Sequence, residues 1–390
     1  MLELLFLLLP IAAACGWHMG RDSIQQNKKS INIKQLSDKY IAKFNSSTFN
    51  QHSNAVNLLF EVQQEDISTF DAQLILGNLF RSRGEIERAI HVHQTLFENS
   101  SLSFQQKLLA IQQLGSDYLS AGVYDRARNI FLQLIKEEEF KISALRSLLT
   151  IYQATSDWHK AIEIANQLVK MGNDELKEEI AHFYCELALL KFNDNDITSA
   201  LLLLNKAARS DKNCARVSII EAQINIARNK YKKAIFSLKK VFEQDKDLVG
   251  DTLSMLYECY YHLSCWKEWE IYLQQCVSNN CGANAELYLA EIIEKNQGIE
   301  QAQEFIKKQL ISRPTMKLFH KLIDYYLIYT KENKTKETLI LLHNMVGEQI
   351  RSKPDYRCRK CGFTTHALYW YCLSCRSWDT IKPIKGLDGQ

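Results

Sequence analysis

Proline and glycine are scarce in this chain: its 390 residues include 4 Pro and 14 Gly. So few turn formers exclude a loop-rich architecture. With 46% apolar residues they argue for helices joined by short, tight connections. An excess of one charge is also missing. Lys plus Arg number 48 against 45 for Asp plus Glu, so no broad field draws the chain to nucleic acid. Catalytic signatures are absent too. There is no phosphate-binding glycine loop, no Gly-x-Ser-x-Gly and no His-Glu-x-x-His. His91 and His93 stand two apart, on different faces of a helix, and cannot clamp one metal. His159, His182, His262 and His320 are solitary and read as packed or surface residues. The charge runs at 136–139 and 230–240 read as solvated faces. No catalytic or organic-cofactor residue is expected, and the chain does not read as an enzyme.

What is present is most specific near the end. Cys358 and Cys361 form one Cys-x-x-Cys pair, and Cys372 and Cys375 a second. Two such turns facing each other offer four thiolates at the corners of a tetrahedron, which suits one Zn or Fe ion at about 2.3 Å. A segment this short cannot fold on an apolar core alone, so a metal is the expected staple. Gly362 follows the first pair where a positive φ is often needed. Arg376 holds the matching place after the second, a less comfortable fit. Cys15, Cys185, Cys214, Cys259, Cys265, Cys276 and Cys281 fall in no such pair and read as small apolar residues. Unpaired thiols beside a tetrathiolate site imply a reducing compartment.

Residues 1–19 carry only Glu3 and His18 as ionisable side chains. As a helix they would span about 28 Å, enough to cross a hydrocarbon layer. Pro10 is tolerable there, and Trp17 stands at the interface position. A cleaved signal peptide wants a basic start, which is missing, and the run ending at Cys15 lacks it equally as a lipoprotein site. Arg21, Lys28, Lys29 and Lys34 follow the span, so an uncleaved anchor with its C-terminal side in the cytoplasm is expected.

Between these ends the chain repeats. Ala55, Ala89, Ala127, Ala161, Ala200, Ala234, Trp269 and Ala302 recur at a spacing near that of tetratricopeptide units, about 34 residues. Gly77 precedes Ala89 as Gly115 precedes Ala127, small residues that let two helices approach closely, while Gly84 and Gly122 fall in the turn between. Trp269 replaces the small residue, so its hairpin must splay or repack. The stretch after Pro314 reads as a degenerate final pair, a cap. The expected fold is all-α: eight or nine hairpins in a right-handed superhelix with a concave, protein-binding face. An N-terminal transmembrane helix and a small C-terminal rubredoxin-like metal ribbon complete it. The expected partition is 1–20 anchor, 21–35 juxtamembrane linker, 36–352 repeats, 354–383 ribbon and 384–390 tail. Only residues 352–354 separate the last helix from the ribbon, which should dock by its aromatics on the final hairpins.

Anchor, repeats and ribbon together resemble the lipopolysaccharide assembly protein B family of Gram-negative bacteria. The opening MLELLFLLLP, the runs 76–84 and 110–115, and the segment from Tyr356 to Pro383 carry the resemblance. It implies an inner-membrane protein whose repeats face the cytoplasm. It also implies an adaptor for the AAA+ protease FtsH that promotes degradation of the lipid A deacetylase LpxC, alongside other lipopolysaccharide assembly proteins. The family's metal ligands map onto Cys358, Cys361, Cys372 and Cys375. Two other classes stay open. Arg357, Arg359, Lys360, Arg376, Lys382 and Lys385, interleaved with aromatics, would suit a nucleic-acid ribbon, although the tether and the near-neutral repeats make a nucleic-acid partner unexpected. A bound iron would suit a redox protein. The sequence leaves a homodimer open.

Overall fold

The computed structural model describes residues 70–388 except residue 331. The anchor at 1–20, the linker at 21–35 and the hairpin around Ala55 lie outside the described residues. Among those described, no helix is long and apolar enough to cross a membrane. Sixteen α-helices follow in helix–turn–helix order. They are α1 (Phe70–Ser82), α2 (Ile86–Glu98), α3 (Phe104–Ser120), α4 (Tyr124–Leu134), α5 (Glu138–Ala154), α6 (Trp158–Lys170), α7 (Leu176–Asn193) and α8 (Ile197–Ser210). The series continues with α9 (Ala215–Ala227), α10 (Tyr231–Gln244), α11 (Val249–Leu263), α12 (Trp266–Ser278), α13 (Ala283–Gln297), α14 (Ile299–Ser312), α15 (Met316–Tyr329) and α16 (Asn333–Ser352). The chain divides into two compact units, one up to Ser147 and one from Leu148 onward.

The repeat is visible in the packing. Ala89, Ala127, Ala161, Ala200, Ala234 and Ala302 are fully buried. A side chain no larger than a methyl at this place lets the two helices of a pair close on each other. Trp269 is buried in the same register. Its hairpin repacks as an aromatic cluster, with Tyr260 at 5.5 Å, Tyr288 at 5.7 Å and Tyr257 at 6.3 Å between ring centroids.

The turns share one device. Gly84, Gly122, Ser156, Asn195, Asn229 and Ser264 all adopt positive φ, each five residues before its buried marker. Each closes its helix with the same two bonds. In the first turn Gly84 N–H donates to Arg81 O, and Glu85 N–H to Phe80 O at 2.9 Å. In the fifth, Asn229 N–H donates to Ile226 O, and Lys230 N–H to Asn225 O. Each pair, one five-to-two bond and one six-to-one bond, satisfies carbonyls left over at a helix C-terminus. Glycine takes the left-handed conformation without a Cβ penalty, and Asn and Ser tolerate it.

In the first unit, α1 presses on a polar core. His93 and Asp117 are both fully buried, with His93 Nδ1 2.5 Å from Asp117 Oδ2. Arg81 donates from Nη1 to the other carboxylate oxygen at 2.8 Å. Gly77 makes room: a Cβ there would lie 2.3 Å from His93 Nε2. A Cβ on Gly115 would meet Ile130 and Phe131 at 2.9 Å and 3.0 Å. Both glycines therefore serve close approach, as their spacing suggested.

The second unit ends in a short antiparallel sheet. Its strands β1 (Tyr356–Cys358), β2 (Thr364–Thr365) and β3 (Ile381–Pro383) run in the order β2-β1-β3. Tyr356 faces Thr365 on one side and Pro383 on the other. The final helix is the least covered: among the described residues of α16 only Val346 is buried.

Candidate metal centre and its seat on the repeats

The two Cys-x-x-Cys turns are near copies of each other. Cys358 N–H donates to Phe363 O at 2.7 Å, and Cys372 N–H to Ser377 O at 2.9 Å. Gly362 N–H returns to Cys358 O, and Arg376 N–H to Cys372 O. Gly362 has φ +79° and Arg376 +56°. Arginine thus accepts the conformation that glycine takes freely, at a cost of about 1–2 kcal/mol.

The four sulfurs all lie within 4.8 Å of one another. Cys358 Sγ is 3.7 Å from Cys375 Sγ, and Cys361 Sγ 3.6 Å from Cys372 Sγ. A tetrahedron of bonds about 2.3 Å long needs edges of about 3.75 Å. The donor set fits a single thiophilic ion. Burial pushes the Cys358 thiol up, but the Thr380 hydroxyl and the amides of Cys361 and Lys360 outweigh it and bring the thiol down to about 6. Burial drives Cys372 the other way, to about 11. An ion held by these four thiolates would supply stability, with no position left open for chemistry. The sheet core beneath is only Cys358, Cys372 and Ile381, with Tyr356, Phe363, Leu368 and Cys375 packed around.

The ribbon does not rest its aromatics on the final hairpins, as the short connection suggested. Trp378 stacks on His182 of α7 at 5.1 Å and meets Phe183 and Trp158 edge-on at 5.7 Å and 6.0 Å. Trp370 lies 5.9 Å from His182, and the Arg216 guanidinium of α9 lies 5.6 Å from the Trp370 ring. Arg216 in turn donates to Glu186 at 2.7 Å. The ribbon turns back onto α6, α7 and α9 because complementary groups wait there. Next to this aromatic seat is an ionic one. Lys382 Nζ donates to Asp245 Oδ2 at 2.6 Å and to Asp379 Oδ1 at 2.7 Å. Lys385 and Arg359 both reach Asp247, the first at 2.5 Å.

These contacts set the protonation of the seat. Burial, helped by the positive charges of Arg216 and Lys382, drops the His182 imidazole to about 3, so the ring under Trp378 is neutral. Burial works against the Lys382 ammonium, but Asp379 and Asp245 prevail and hold its pKa above the ordinary value. Burial opposes ionisation of Asp247 as well, yet Lys385 and Arg359 bring it below the usual carboxylate range. Three of the six basic ribbon residues are therefore engaged by aspartates of the same chain.

The remaining expectations divide. His93 is a partner in a buried network, and His182 is the floor of the ribbon seat. His262 stacks on Tyr231. His320 is not solitary: its ring lies 3.9 Å from that of His343. The seat was missed because a match between Trp378 and His182 has no local sequence signature.

Helix pairs of near-constant length, closed by one kind of turn and carrying a four-thiol ribbon, define a helical-repeat protein with a rubredoxin-like C-terminus. Residues 356–383 match the family described as a rubredoxin metal binding domain. Over its whole length the chain is 55% identical to lipopolysaccharide assembly protein B of Escherichia coli K12, covering 100% of both. The protein of that name from Haemophilus influenzae is 40% identical, again with full coverage of both chains. The chain belongs to the lipopolysaccharide assembly protein B family. A solved tetratricopeptide repeat-containing protein from Cytophaga hutchinsonii aligns with 61% of this chain and 94% of its own, at 15% identity and a TM-score of 0.38. That likeness is too slight to carry functional weight.

Proposed function

We propose that this chain is a non-catalytic adaptor, tethered to the inner membrane, that regulates lipopolysaccharide synthesis by bringing the deacetylase LpxC to the protease FtsH. Full-length identity to relatives named for lipopolysaccharide assembly carries this reading. The partition is 1–20 anchor, 21–35 linker, 36–352 repeats, 354–383 ribbon and 384–390 tail, with repeats and ribbon on the cytoplasmic side. Cys358, Cys361, Cys372 and Cys375 hold one Zn or Fe per chain, and the tetrathiolate packing supports that assignment. Engagement of Arg359, Lys382 and Lys385 by aspartates favours a protein scaffold over a nucleic-acid ribbon.

The test is made in a Gram-negative cell whose own copy of the gene is deleted and replaced by this one. LpxC half-life should shorten to that of the parent strain, and should lengthen again when residues 1–20 are removed. An unchanged half-life with the intact, membrane-located chain would remove the adaptor reading.

A further inference from the structure

The final helix pair holds a second constellation, unrelated to the ribbon. His320 and Asp324 lie four residues apart on α15, so both project from one face of that helix. His343 comes from α16. Its Nε2 is 2.8 Å from Asp324 Oδ1. The two imidazole rings are 3.9 Å apart between centroids, inclined by 34°. That is closer than the roughly 4.5–7 Å usual for ring pairs. The Asp324–His343 contact alone does not call for a second imidazole pressed against the first. Gly347, one turn beyond His343, makes the approach possible: a Cβ there would lie 3.2 Å from His320 Nε2. One donor atom from each of the three side chains falls within 4.8 Å of the others.

We infer that His320, Asp324 and His343 form a binding site for a divalent transition metal, Zn²⁺ above all, that clasps α15 to α16. Two imidazoles and a carboxylate are the ligand set of a borderline cation, distinct in softness from the four thiolates of the ribbon. Bonds of about 2.0–2.1 Å would bring the donors to about 3.3 Å from one another. Small side-chain rotations achieve that, since all three residues are only half-buried. Three protein ligands leave a fourth position for water or for a side chain from a partner. A metal here would fasten a helix whose described residues bury only Val346.

The test uses the full-length chain, purified in detergent with its ribbon metal in place and titrated with Zn²⁺ and Co²⁺. One further equivalent should bind per chain. The added Co²⁺ should show ligand-field bands of a nitrogen–oxygen site, without the intense charge-transfer absorption of thiolate ligands. Zn²⁺ should also raise the melting temperature. Asp324→Asn and His343→Gln should each weaken the added binding by at least about tenfold, the lower end of what even outer-shell losses cost. Both should leave the ribbon metal in place, and circular dichroism checks that they fold; Asp324→Asn, which keeps the side chain's size and shape, carries the test if His343→Gln does not. Absence of a second equivalent in the unaltered chain overturns the proposal. So does a second equivalent that survives both substitutions.

Discussion

Trp378 stacks on His182, its ring centroid 5.1 Å away and its plane inclined by 21°. The contact ties the four-cysteine ribbon at the C-terminal end to a helix in the middle of the repeats. It makes the integrity of one part readable in the other.

Loss of the metal should therefore be felt far from the cysteines. Cys372→Ser should reduce bound metal to well below one equivalent and unfold β1–β3. Metal binding, on the order of 10 kcal/mol, supplies most of that segment's folding free energy. Hydrogen exchange should then accelerate in the ribbon and around Trp158, His182 and Phe183, while the helical far-ultraviolet signal persists. A ribbon that stays protected without metal would contradict this.

Trp378→Ala should separate docking from metal binding. Each ring pair contributes about 0.5–1.5 kcal/mol beyond its area, so losing contacts to His182, Phe183 and Trp158 should cost on the order of 2–4 kcal/mol of seating. Metal content should stay at one per chain. Faster exchange in α7 together with retained metal is the expected pair of readings.

Seating should also depend on pH, and the sign follows from His182. Its pKa is about 3 when seated and near 6.5 when exposed. The unseated state therefore binds the proton first, so seating is at full strength above about pH 6.5 and weakens on acidification toward 3. The slope is about 1.4 kcal/mol per pH unit for the one proton. Asp247, whose pKa is depressed when seated, adds a further loss as pH falls through the lower carboxylate range. His182→Phe should flatten the profile between pH 6.5 and 4, read by tryptophan fluorescence. An unchanged slope in that variant would rule His182 out as its source.

In the first unit two glycine substitutions should differ in size for different reasons. Helix propensity alone predicts that Gly77→Ala stabilises by about 1 kcal/mol. The added methyl instead meets His93, which is fully buried and held by Asp117 and so cannot swing away. The net should be a loss of about 1–3 kcal/mol, as in overpacked cores. Gly84→Ala meets nothing within 4 Å and should cost only the left-handed backbone term, about 1 kcal/mol. Thermal melts of the two variants rank them, and a stabilised Gly77→Ala would refute the close-contact account.

The repeat was legible because its marker is a local necessity: one small side chain every 34 or so residues, where helices cross. The four cysteines were legible because a tetrathiolate demands that spacing. Ser156, Asn195, Asn229 and Ser264 were missed as turn residues because left-handed Asn and Ser look like any other polar loop residue. Their signal was positional, five residues before the next buried marker. Asp245 and Asp247 were invisible for a different reason. Their partners Lys382 and Lys385 lie far along the chain, and only the folded ribbon brings them together. Asp117 carries no local signal, because its partners His93 and Arg81 come from other helices.

Three residues, Lys353 to Asp355, join α16 to the ribbon. So short a leash keeps the ribbon beside α6, α7 and α9 at an effective concentration that such connections place in the millimolar range or above. The protein is thus its own competitor for that face. An outside ligand seeking the Trp158–His182–Arg216 surface must bind with an affinity that beats a rival already tethered there, while one that uses other helices meets no such rival.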